Sequence, residues 1–440
     1  MLTSPFTDSL IVKLNSNIAL SCFLKSAQGN IHPAITPALT DSMLERFKQL
    51  TIILLKYESL WKQSAFKDTN FSSLESLPKL KAWLFELTND SLFSYQENDR
   101  LLLKEISPYF SDALSIISLI DFPTTTKVDQ FEAPKFWDNE IPGRKAHQIL
   151  AFKQALGSIN LPLLEWCSGK QHLGRLLSEV SRLDSTGLEI DISLVKQANL
   201  LAKKRKIPHL SKCYHCDVLS SSSALYIKKN QHAIALHACG GLHTQLIQNC
   251  SQKRVERISF SPCCYHRFNA SNTYLHLSEA AKTSMLQLTT EDLRLAVRET
   301  KTASMSETNN RRQLQSWRLG FDHLQRDLRQ EDSYLETPTL SAAILKNGFQ
   351  NFCLHLAKIK NVEIKRPINF DYYEKKGALR FHHYERAELF RMVFRRALES
   401  WLVLDRALYL KEQGYDTEIG IFCSPDISPR NFFIDARLKI

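Results

Sequence analysis

The alternation of short apolar runs with amphipathic segments between residues 161 and 262 constrains the fold of this chain more than any other feature. Segments with helical periodicity, such as HLGRLLSEVSRL and SLVKQANLLAKKRK, separate runs that have the length and composition of strands. These runs lie at 161–165, 186–191, 212–219, 232–240 and 255–262. Strands that alternate with helices require a mostly parallel sheet with helices on both faces. We therefore predict an α/β, Rossmann-like fold.

The regions outside this alternation predict additional helices and one terminal hairpin. Two further strands, TEIGIFCSP and NFFIDARL, close the chain, and the turn PDISPR between them makes them an antiparallel pair. They are best explained as the last two strands of the same sheet, separated from it by a helical insertion. We predict a helical N-terminal domain at 1–125, a linker at 126–144, a Rossmann-like core at 145–274, a helical insertion at 275–415 and the last two strands at 416–440.

The positive charge of the chain is concentrated in the part that follows residue 144. The net charge is +11, yet residues 1–144 contain 14 Lys and Arg against 17 Asp and Glu, which leaves 43 against 29 for the rest. A basic surplus of this kind favours a polyanionic partner, RNA above all. The alternative is a soluble protein that is basic without binding nucleic acid. The helical regions additionally offer surfaces for a protein partner.

The cysteine content and the apolar runs predict the compartment. Ten cysteines are scattered through the chain, several of them inside apolar runs, which is typical of reduced thiols rather than of a disulfide framework. No run of 18 or more apolar residues is present, and the N-terminus lacks the pattern of a signal peptide. We expect a cytoplasmic protein that does not associate with membranes.

The segment LPLLEWCSGKQHLGRLL at 161–177 has the order strand, glycine-containing turn and helix, which a dinucleotide or S-adenosylmethionine (SAM) site requires. Glu165 ends the strand, where a carboxylate can bind an ammonium group, and Gly169 permits close approach of a ligand to the backbone. Cys167 and Gln171 stand where glycines are expected, and Gly174 follows later. The alternative is a simple turn into a helix in an unrelated α/β protein.

Acidic residues follow the next two predicted strands. Asp191 ends TGLEID, where it is placed to accept both hydroxyls of a ribose, and Glu189 is a second candidate. Asp217 closes KCYHCD and is placed to accept a hydrogen bond from an adenine amino group. With Glu165, these acids form a series at three successive strand ends.

The pair Cys213 and Cys216 in KCYHCD has the spacing of zinc ligands. However, the chain offers no second pair at a suitable spacing, and successive strand residues point to opposite faces, so these two thiols diverge. We therefore predict no metal site.

The string ISFSPCCYHRF, preceded by ALHACGG, places polar and aromatic residues at the carboxyl edge of the predicted sheet. Ligands of open α/β sheets bind at this edge. Cys263, Cys264, Tyr265 and His266 can orient a substrate there, with His266 as a general base. The alternative is that the cysteines pack as small apolar groups and that His266 only satisfies a backbone carbonyl.

Four strings together, E-x-CSGKxHLGRLL, GLEID, ALHACGG and SPCCYH, resemble the SAM-dependent methyltransferase domain of the methyltransferase-like and glutathione-S-transferase-C-terminal-domain-containing proteins. The last two strings also resemble the CGxxTD and CCHH motifs of a family of tRNA 2'-O-methyltransferases. The resemblance covers about residues 145–270 and extends to the strands at 417–438. Two positions depart from the tRNA family: His243 follows Gly241 and Leu242 where that family has Thr-Asp, and Tyr265 replaces a histidine.

The resemblance implies SAM as the cofactor and methyl transfer as the reaction. It implies that Asp191 binds the ribose and Asp217 the adenine, and that Lys145 approaches the cofactor or the substrate. It also implies three larger groups of site residues. The cofactor would be lined further by Glu165, Cys167, Ser168, Gly169, Lys170 and His237. The substrate would face Pro262, Cys263 and Cys264, with Tyr265 and His266 as the catalytic residues.

The function predicted on these grounds is SAM-dependent methylation of RNA, either tRNA or rRNA. The alternatives are methylation of a protein of the translation machinery, and a catalytically inactive Rossmann-like module that binds RNA or protein. An oxidoreductase that uses a nicotinamide cofactor is disfavoured, because CSGKQHLG departs further from GxGxxG than from methyltransferase loops.

Overall fold

The computed structural model describes residues 42–125, 132–298, 305–364 and 367–439. Within these ranges seven strands form one sheet. The strands are β1 (Leu163–Trp166), β2 (Ser185–Glu189), β3 (Ser211–His215), β4 (His232–Cys239), β5 (Arg257–Cys263), β6 (Tyr415–Ile421) and β7 (Phe432–Leu438). Residues 1–41 of the predicted helical N-terminal domain and residues 126–131 of the predicted linker lie outside the described ranges.

The α-helices that precede or accompany the five parallel strands are α1 (Ser42–Lys56), α2 (Glu58–Trp61), α3 (Pro78–Phe85), α4 (Asn89–Glu97), α5 (Asp99–Ile106), α6 (Ala113–Leu119), α7 (Gly143–Leu156), α8 (His172–Ser181), α9 (Ile192–Lys204) and α10 (Gly241–Gln252). Between β5 and β6 follow α11 (Glu279–Lys282), α12 (Thr290–Ala296), α13 (Met305–Arg329), α14 (Gly348–Ile359) and α15 (Phe370–Glu412).

The strand order of the sheet is β3-β2-β1-β4-β5-β7-β6. Strands β1 to β5 pair in parallel, and β7 pairs antiparallel with both β5 and β6. The order reverses between β1 and β4, so the carboxyl ends of these two strands flank the crevice in which ligands of open α/β sheets bind. The prediction of a mostly parallel, Rossmann-like sheet with a terminal antiparallel hairpin is confirmed.

A buried ion pair secures the antiparallel strand. The guanidinium of Arg257 on β5 donates to both carboxylate oxygens of Asp435 on β7, at 2.8 and 3.0 Å. Ser259 donates to the same carboxylate at 2.5 Å. Burial alone would raise the pKa of Asp435, but the hydrogen bonds and charge of Arg257, helped by Ser259, hold it well below its usual value.

The helical regions that flank the sheet along the chain pack against one another. The 43-residue helix α15 is continuous. Its Trp401 indole donates to Thr51 of α1, and the Arg391 guanidinium donates to the carbonyl of Trp61 at the end of α2. The segment that follows α6 reaches the edge of the sheet, where the N–H of Thr125 donates to the carbonyl of Ile421 at the end of β6.

Within the insertion, α13 and α15 cross where both have a glycine. A Cβ placed on Gly377 would lie 2.5 Å from the backbone nitrogen of Gly320, so side chains larger than hydrogen are excluded at this crossing. No helix among the described residues is long and apolar enough to span a bilayer.

Candidate active site

The turn after β1 takes the backbone course of a glycine-rich loop although it contains one glycine. Cys167, Gly169 and Gln171 all have a positive φ, of 55°, 56° and 51° respectively. A left-handed conformation at a residue other than glycine costs about 1–2 kcal/mol. The chain therefore retains the expected geometry at the two positions where the sequence departs from glycine. A Cβ added to Gly169 would meet nothing within 4 Å, so the outer side of the turn is open.

Glu165, which precedes this turn on β1, is buried and held by the following helix. Its Oε2 accepts a hydrogen bond of 2.9 Å from the backbone N–H of Gly174 in the first turn of α8. A Cβ on Gly174 would lie 2.5 Å from that same oxygen and closer still to the hydroxyl of Ser185, so only glycine permits this approach of helix and strand. Burial raises the pKa of Glu165 to about 7, against the hydrogen bond from Gly174 and the charge of Lys145.

The end of β2 lies two residues earlier than the sequence predicts. The strand ends at Glu189, whereas Asp191 is the N-cap of α9 and accepts hydrogen bonds from the N–H groups of Ser193 and Leu194. The prediction that Asp191 ends the strand was wrong by two residues, because the short carboxylate of Asp191 caps the helix that follows. Glu189 instead accepts from the N–H of Gly169 at 2.8 Å and therefore lies against the turn after β1.

Asp217 follows β3 at the same edge of the sheet. It is exposed, and its Oδ1 accepts a hydrogen bond of 2.9 Å from the N–H of Leu219, which orders the loop. Its charge, together with those of Glu189 and Glu165, acts on the Cys167 thiol, whose pKa is raised chiefly by burial. The three acids thus surround the turn after β1.

Ser168 and Lys170 complete this turn. The hydroxyl of Ser168 is buried and lies 3.4 Å from the sulfur of Cys213, and its N–H donates to Leu188 on β2. Lys170 is half-buried, and its carbonyl accepts a hydrogen bond from Arg175. Ser168 thereby anchors the turn to β2 and β3. The sulfur of Cys216 contacts Ser222 instead, so the two cysteines of the CxxC diverge as predicted.

The first turn of α7 brings Lys145 to the other side of the crevice. The positive charge of its half-buried side chain acts on Glu165 and on His237 of β4. His237 has a φ of 80° in a bulge of β4, and its Nε2 donates to Oε1 of Gln148 on α7 at 2.8 Å. His237 is exposed to solvent although protein atoms lie close around its side chain, which is typical of a residue in a cleft. The surrounding protein, together with Lys145, lowers the pKa of His237 to about 4.

Two glycines after β4 bring the string SPCCYHRF against that strand. A Cβ on Gly240 would clash with the carbonyl oxygen of Arg267, and a Cβ on Gly241 would clash with that of Phe268. The N–H of Gly241 donates to the Arg267 carbonyl at 2.9 Å, and the N–H of Gly240 donates to the Cys263 carbonyl at 2.9 Å. The loop after β5 can therefore lie directly on the end of β4.

This contact gathers three thiols at the ends of β4 and β5. The sulfurs of Cys239, Cys263 and Cys264 lie within 4.8 Å of one another, and those of Cys239 and Cys263 are 3.6 Å apart. Hydrogen bonds with Cys239 and Cys263 lower the pKa of Cys264. Hydrogen bonds with Cys239 and Cys264, together with burial, raise the pKa of Cys263. Cys263 and Cys264 were predicted site residues, whereas Cys239 was not. The signal was the CGG after β4, since paired glycines there imply a close neighbour.

The remaining residues of the string occupy different surroundings. Pro262 is buried within β5. Tyr265 is fully buried beneath the guanidinium of Arg406, which lies 4.9 Å from the ring centroid, and its hydroxyl has no hydrogen-bond partner among the described residues. His266 is half-buried, and burial lowers the pKa of its ring. Tyr265 packs in the core in this arrangement, and its catalytic role stays a prediction, as does that of His266.

Comparison with known proteins agrees with this geometry. Residues 144–271 match a family model described as a methyltransferase domain. The match begins in α7 and ends just after the string SPCCYHRF, so it contains the ends of β1 to β5. Together with the strand order of the sheet, it makes this part of the chain similar to a methyltransferase domain. No curated protein matches the sequence of the chain.

Solved structures similar to this chain include several methyltransferases. An RNA methyltransferase from Salinibacter ruber in complex with S-adenosyl-L-homocysteine (SAH) is 15% identical over 30% of this chain and 84% of that chain, with a TM-score of 0.24. The magnesium protoporphyrin IX methyltransferase of Synechocystis PCC 6803 is 15% identical over 37% and 71%, with a TM-score of 0.23. A geranyl diphosphate methyltransferase is 13% identical over 27% of this chain and 45% of that chain, with a TM-score of 0.24. The chain thus spans less than half of this last protein.

The residues of the crevice fit SAM as the cofactor of the domain. The open side of the turn at Gly169 leaves space for a ligand. The charges of the acids at the ends of β1, β2 and β3 all act on Cys167 in this turn. Carboxylates are anionic hydrogen-bond acceptors, which suits the ammonium, hydroxyl and amino groups that SAM carries.

Proposed function

We propose that this chain transfers a methyl group from SAM to RNA, either tRNA or rRNA. In this proposal Glu165 binds the ammonium group of the cofactor, Glu189 the ribose hydroxyls and Asp217 the adenine amino group. Glu189 replaces Asp191 in the ribose role because it lies against Gly169, whereas the carboxylate of Asp191 caps α9. Lys145 balances the negative charge of the cofactor carboxylate.

The side of the crevice that receives the methyl acceptor is formed by the ends of β4 and β5. Bound SAM supplies a methyl group on a sulfonium, which needs no further activation by the protein. The residues must therefore align the acceptor and remove its proton. His266 can take that proton because its lowered pKa keeps the ring neutral near pH 7. His237, held by Gln148, is a hydrogen-bond group at the floor of the same crevice.

The observation that carries the RNA assignment is a cationic and aromatic pair at the mouth of this site. Arg267 and Phe268 follow His266 directly and are both exposed, and the guanidinium carbon lies 5.2 Å from the centroid of the ring. Single-stranded bases stack on aromatic rings and on arginine planes in this manner, at about 1–3 kcal/mol per base.

Further arginines surround the same place. The charges of Arg267 and Arg294 act on His266, and that of Arg430 acts on Cys264. Glu291, which pairs with Arg294 at 2.6 Å, provides the opposing charge. The excess of positive charge at the acceptor side favours a phosphate backbone there.

The test is a methylation assay with SAM labelled on its methyl group, using total RNA and total protein as separate acceptors. Nucleoside mass spectrometry of RNA from cells with and without the protein identifies the product. We expect label in RNA and one modified nucleoside missing from the deleted cells. Label in protein alone would contradict the RNA assignment while leaving methyl transfer in place.

The matched variants are Phe268→Ala and Phe136→Ala. Both remove an exposed phenylalanine, 50% and 70% exposed respectively, but only the first lies at the mouth of the site. We expect Phe268→Ala to weaken RNA binding by about tenfold or more, as loss of one stacked base implies, and Phe136→Ala to leave it unchanged. Equal affinities of the two variants would argue against base stacking at this position.

A further inference from the structure

A cluster of three cysteines lies where β4 and β5 end, and methyl transfer as derived above does not use it. The cluster consists of Cys239, Cys263 and Cys264, and is called the thiol triangle below. Its sulfurs lie within 4.8 Å of one another. Among the described residues, no other group of cysteines, histidines and carboxylates gathers three potential metal ligands this closely.

Backbone geometry produces this convergence. Cys263 and Cys264 are neighbours, and in a continuous strand their side chains would point to opposite faces. The strand ends at Cys263, and Cys264 has a φ of 45°, a left-handed conformation that is unusual for cysteine. The reversal turns the second thiol back toward the first. Strain of this kind at a residue other than glycine is typical of functional positions.

The neighbouring segments place the third thiol. Cys239 is the last residue of β4 and pairs with Cys263 of β5 in the sheet. Gly240 follows it with a φ of 52°, and the missing Cβ there lets the loop after β5 approach. Three separate local features, namely the left-handed cysteine, the positive φ of Gly240 and the bulge of β4 between Leu236 and Cys239, all occur within a few residues of this cluster.

The distances suit coordination rather than a disulfide. A disulfide bond joins sulfurs at about 2.05 Å, whereas Cys239 and Cys263 are 3.6 Å apart. Two thiolates that bind one tetrahedral zinc ion, with Zn–S bonds of about 2.3 Å, lie about 3.8 Å from each other. Thiolates select soft or borderline ions, of which zinc is the one that favours tetrahedral sulfur sites.

We propose that the thiol triangle binds a Zn²⁺ ion through Cys239, Cys263 and Cys264. Cys263 is buried, while Cys239 and Cys264 are partly exposed, so solvent can reach two of the three thiols. This ion joins the end of β4 to the loop that carries His266 and Arg267. The assignment departs from the sequence analysis, which expected no metal, and it does not depend on the nature of the methyl acceptor.

The experiment is metal analysis of the full chain purified with Zn²⁺ under reducing conditions, followed by replacement with Co²⁺. We expect one zinc per chain and, with Co²⁺, the sulfur-to-metal charge-transfer absorption that thiolate ligands produce. The variants Cys239→Ala and Cys264→Ala should each reduce the metal content by about tenfold or more, because the ligand set falls to two.

Cys216→Ala is the matched control, since Cys216 is also a cysteine at a strand end but contacts Ser222 instead of the thiol triangle. It should keep the full metal content, and its folded state, checked by circular dichroism alongside that of the other variants, separates loss of a ligand from loss of fold. A wild-type chain without zinc, equal zinc in Cys239→Ala and Cys216→Ala, or a Cys239–Cys263 disulfide in the reduced preparation would each overturn the proposal. None of these readouts depends on methyl transfer.

Discussion

The carboxylate of Glu165 accepts a hydrogen bond of 2.9 Å from the backbone N–H of Gly174, and this contact joins β1 to the first turn of α8. The contact orients the carboxylate at the floor of the crevice. It does not neutralise the charge, so burial still raises the pKa of Glu165 to about 7. In the proposed cofactor site, the ionised form of this acid is therefore unfavourable until a cation binds beside it.

The first prediction concerns stability without cofactor. The raised pKa means that the folded chain holds this proton more tightly than the unfolded chain. The stability that protonated Glu165 contributes is complete below its unfolded pKa of about 4.5. This stability is lost as the pH rises through its folded pKa of about 7. Glu165→Gln keeps an acceptor for Gly174 and carries no charge. Urea unfolding should find this variant more stable than wild type by about 2–3 kcal/mol at pH 8 and nearly equal to it at pH 5. Glu86→Gln, an exposed control, should show no such difference between the two pH values.

The second prediction concerns the pH dependence of binding. The ionised form of Glu165 is the one that pairs with an ammonium group, so the affinity for SAH should fall as the pH drops below about 7. Titration calorimetry from pH 6 to pH 8 should give a change of up to about tenfold per pH unit at the acidic end. Glu165→Gln should bind more weakly and lose this dependence. An unchanged slope in the variant would show that another group is responsible.

The third prediction concerns the packing of α8. In Gly174→Ala the new Cβ meets the Glu165 carboxylate and the Ser185 hydroxyl, and forcing it into this space should lower the free energy of unfolding by about 1–3 kcal/mol. Gly143→Ala is the control, because a Cβ there meets nothing within 4 Å. Equal free energies of unfolding for the two variants in chemical denaturation would contradict the close contact between α8 and β1.

Much of this fold could be predicted from the sequence, and the misses have physical causes. Apolar runs separated by amphipathic helices define a parallel sheet, and the turn PDISPR defines the terminal hairpin. Asp191 was misplaced because GLEID contains two acids and only the structure shows which one caps α9. Cys239 was missed because its partners lie 24 and 25 residues later, and a contact of that range requires the pairing of β4 with β5. Residues 167 and 171 were noted as departures from glycine, but their left-handed backbone is a property of the folded turn.

The fourth prediction concerns the buried pair of Arg257 and Asp435, which are 2% and 1% exposed in their side chains. Asp435→Ala leaves a buried guanidinium without its partner and should lower the free energy of unfolding by about 3–5 kcal/mol at pH 7. Because the pKa of Asp435 is lowered in the folded chain, the pair stabilises at every pH above the unfolded value of about 4 and is lost only in stronger acid. Glu291→Ala, which breaks the exposed pair with Arg294, should cost less than about 1 kcal/mol in the same urea titration.

The fifth prediction tests the cofactor site itself, by isothermal titration of SAM and SAH into the wild-type chain and two glycine variants. Gly169→Ala and Gly348→Ala are matched, since both glycines have a positive φ and a Cβ at either meets nothing within 4 Å. Gly348→Ala controls for backbone strain, since φ 77° and ψ 165° at Gly348 lie in a region that is essentially confined to glycine, but only the Cβ at 169 enters the space assigned to the cofactor. We predict one binding site per chain in wild type, the same affinity in Gly348→Ala, and an affinity at least about tenfold lower in Gly169→Ala. Absence of binding to the wild-type chain, or equal affinities for the two variants, would contradict the assignment of the turn after β1 as the SAM site.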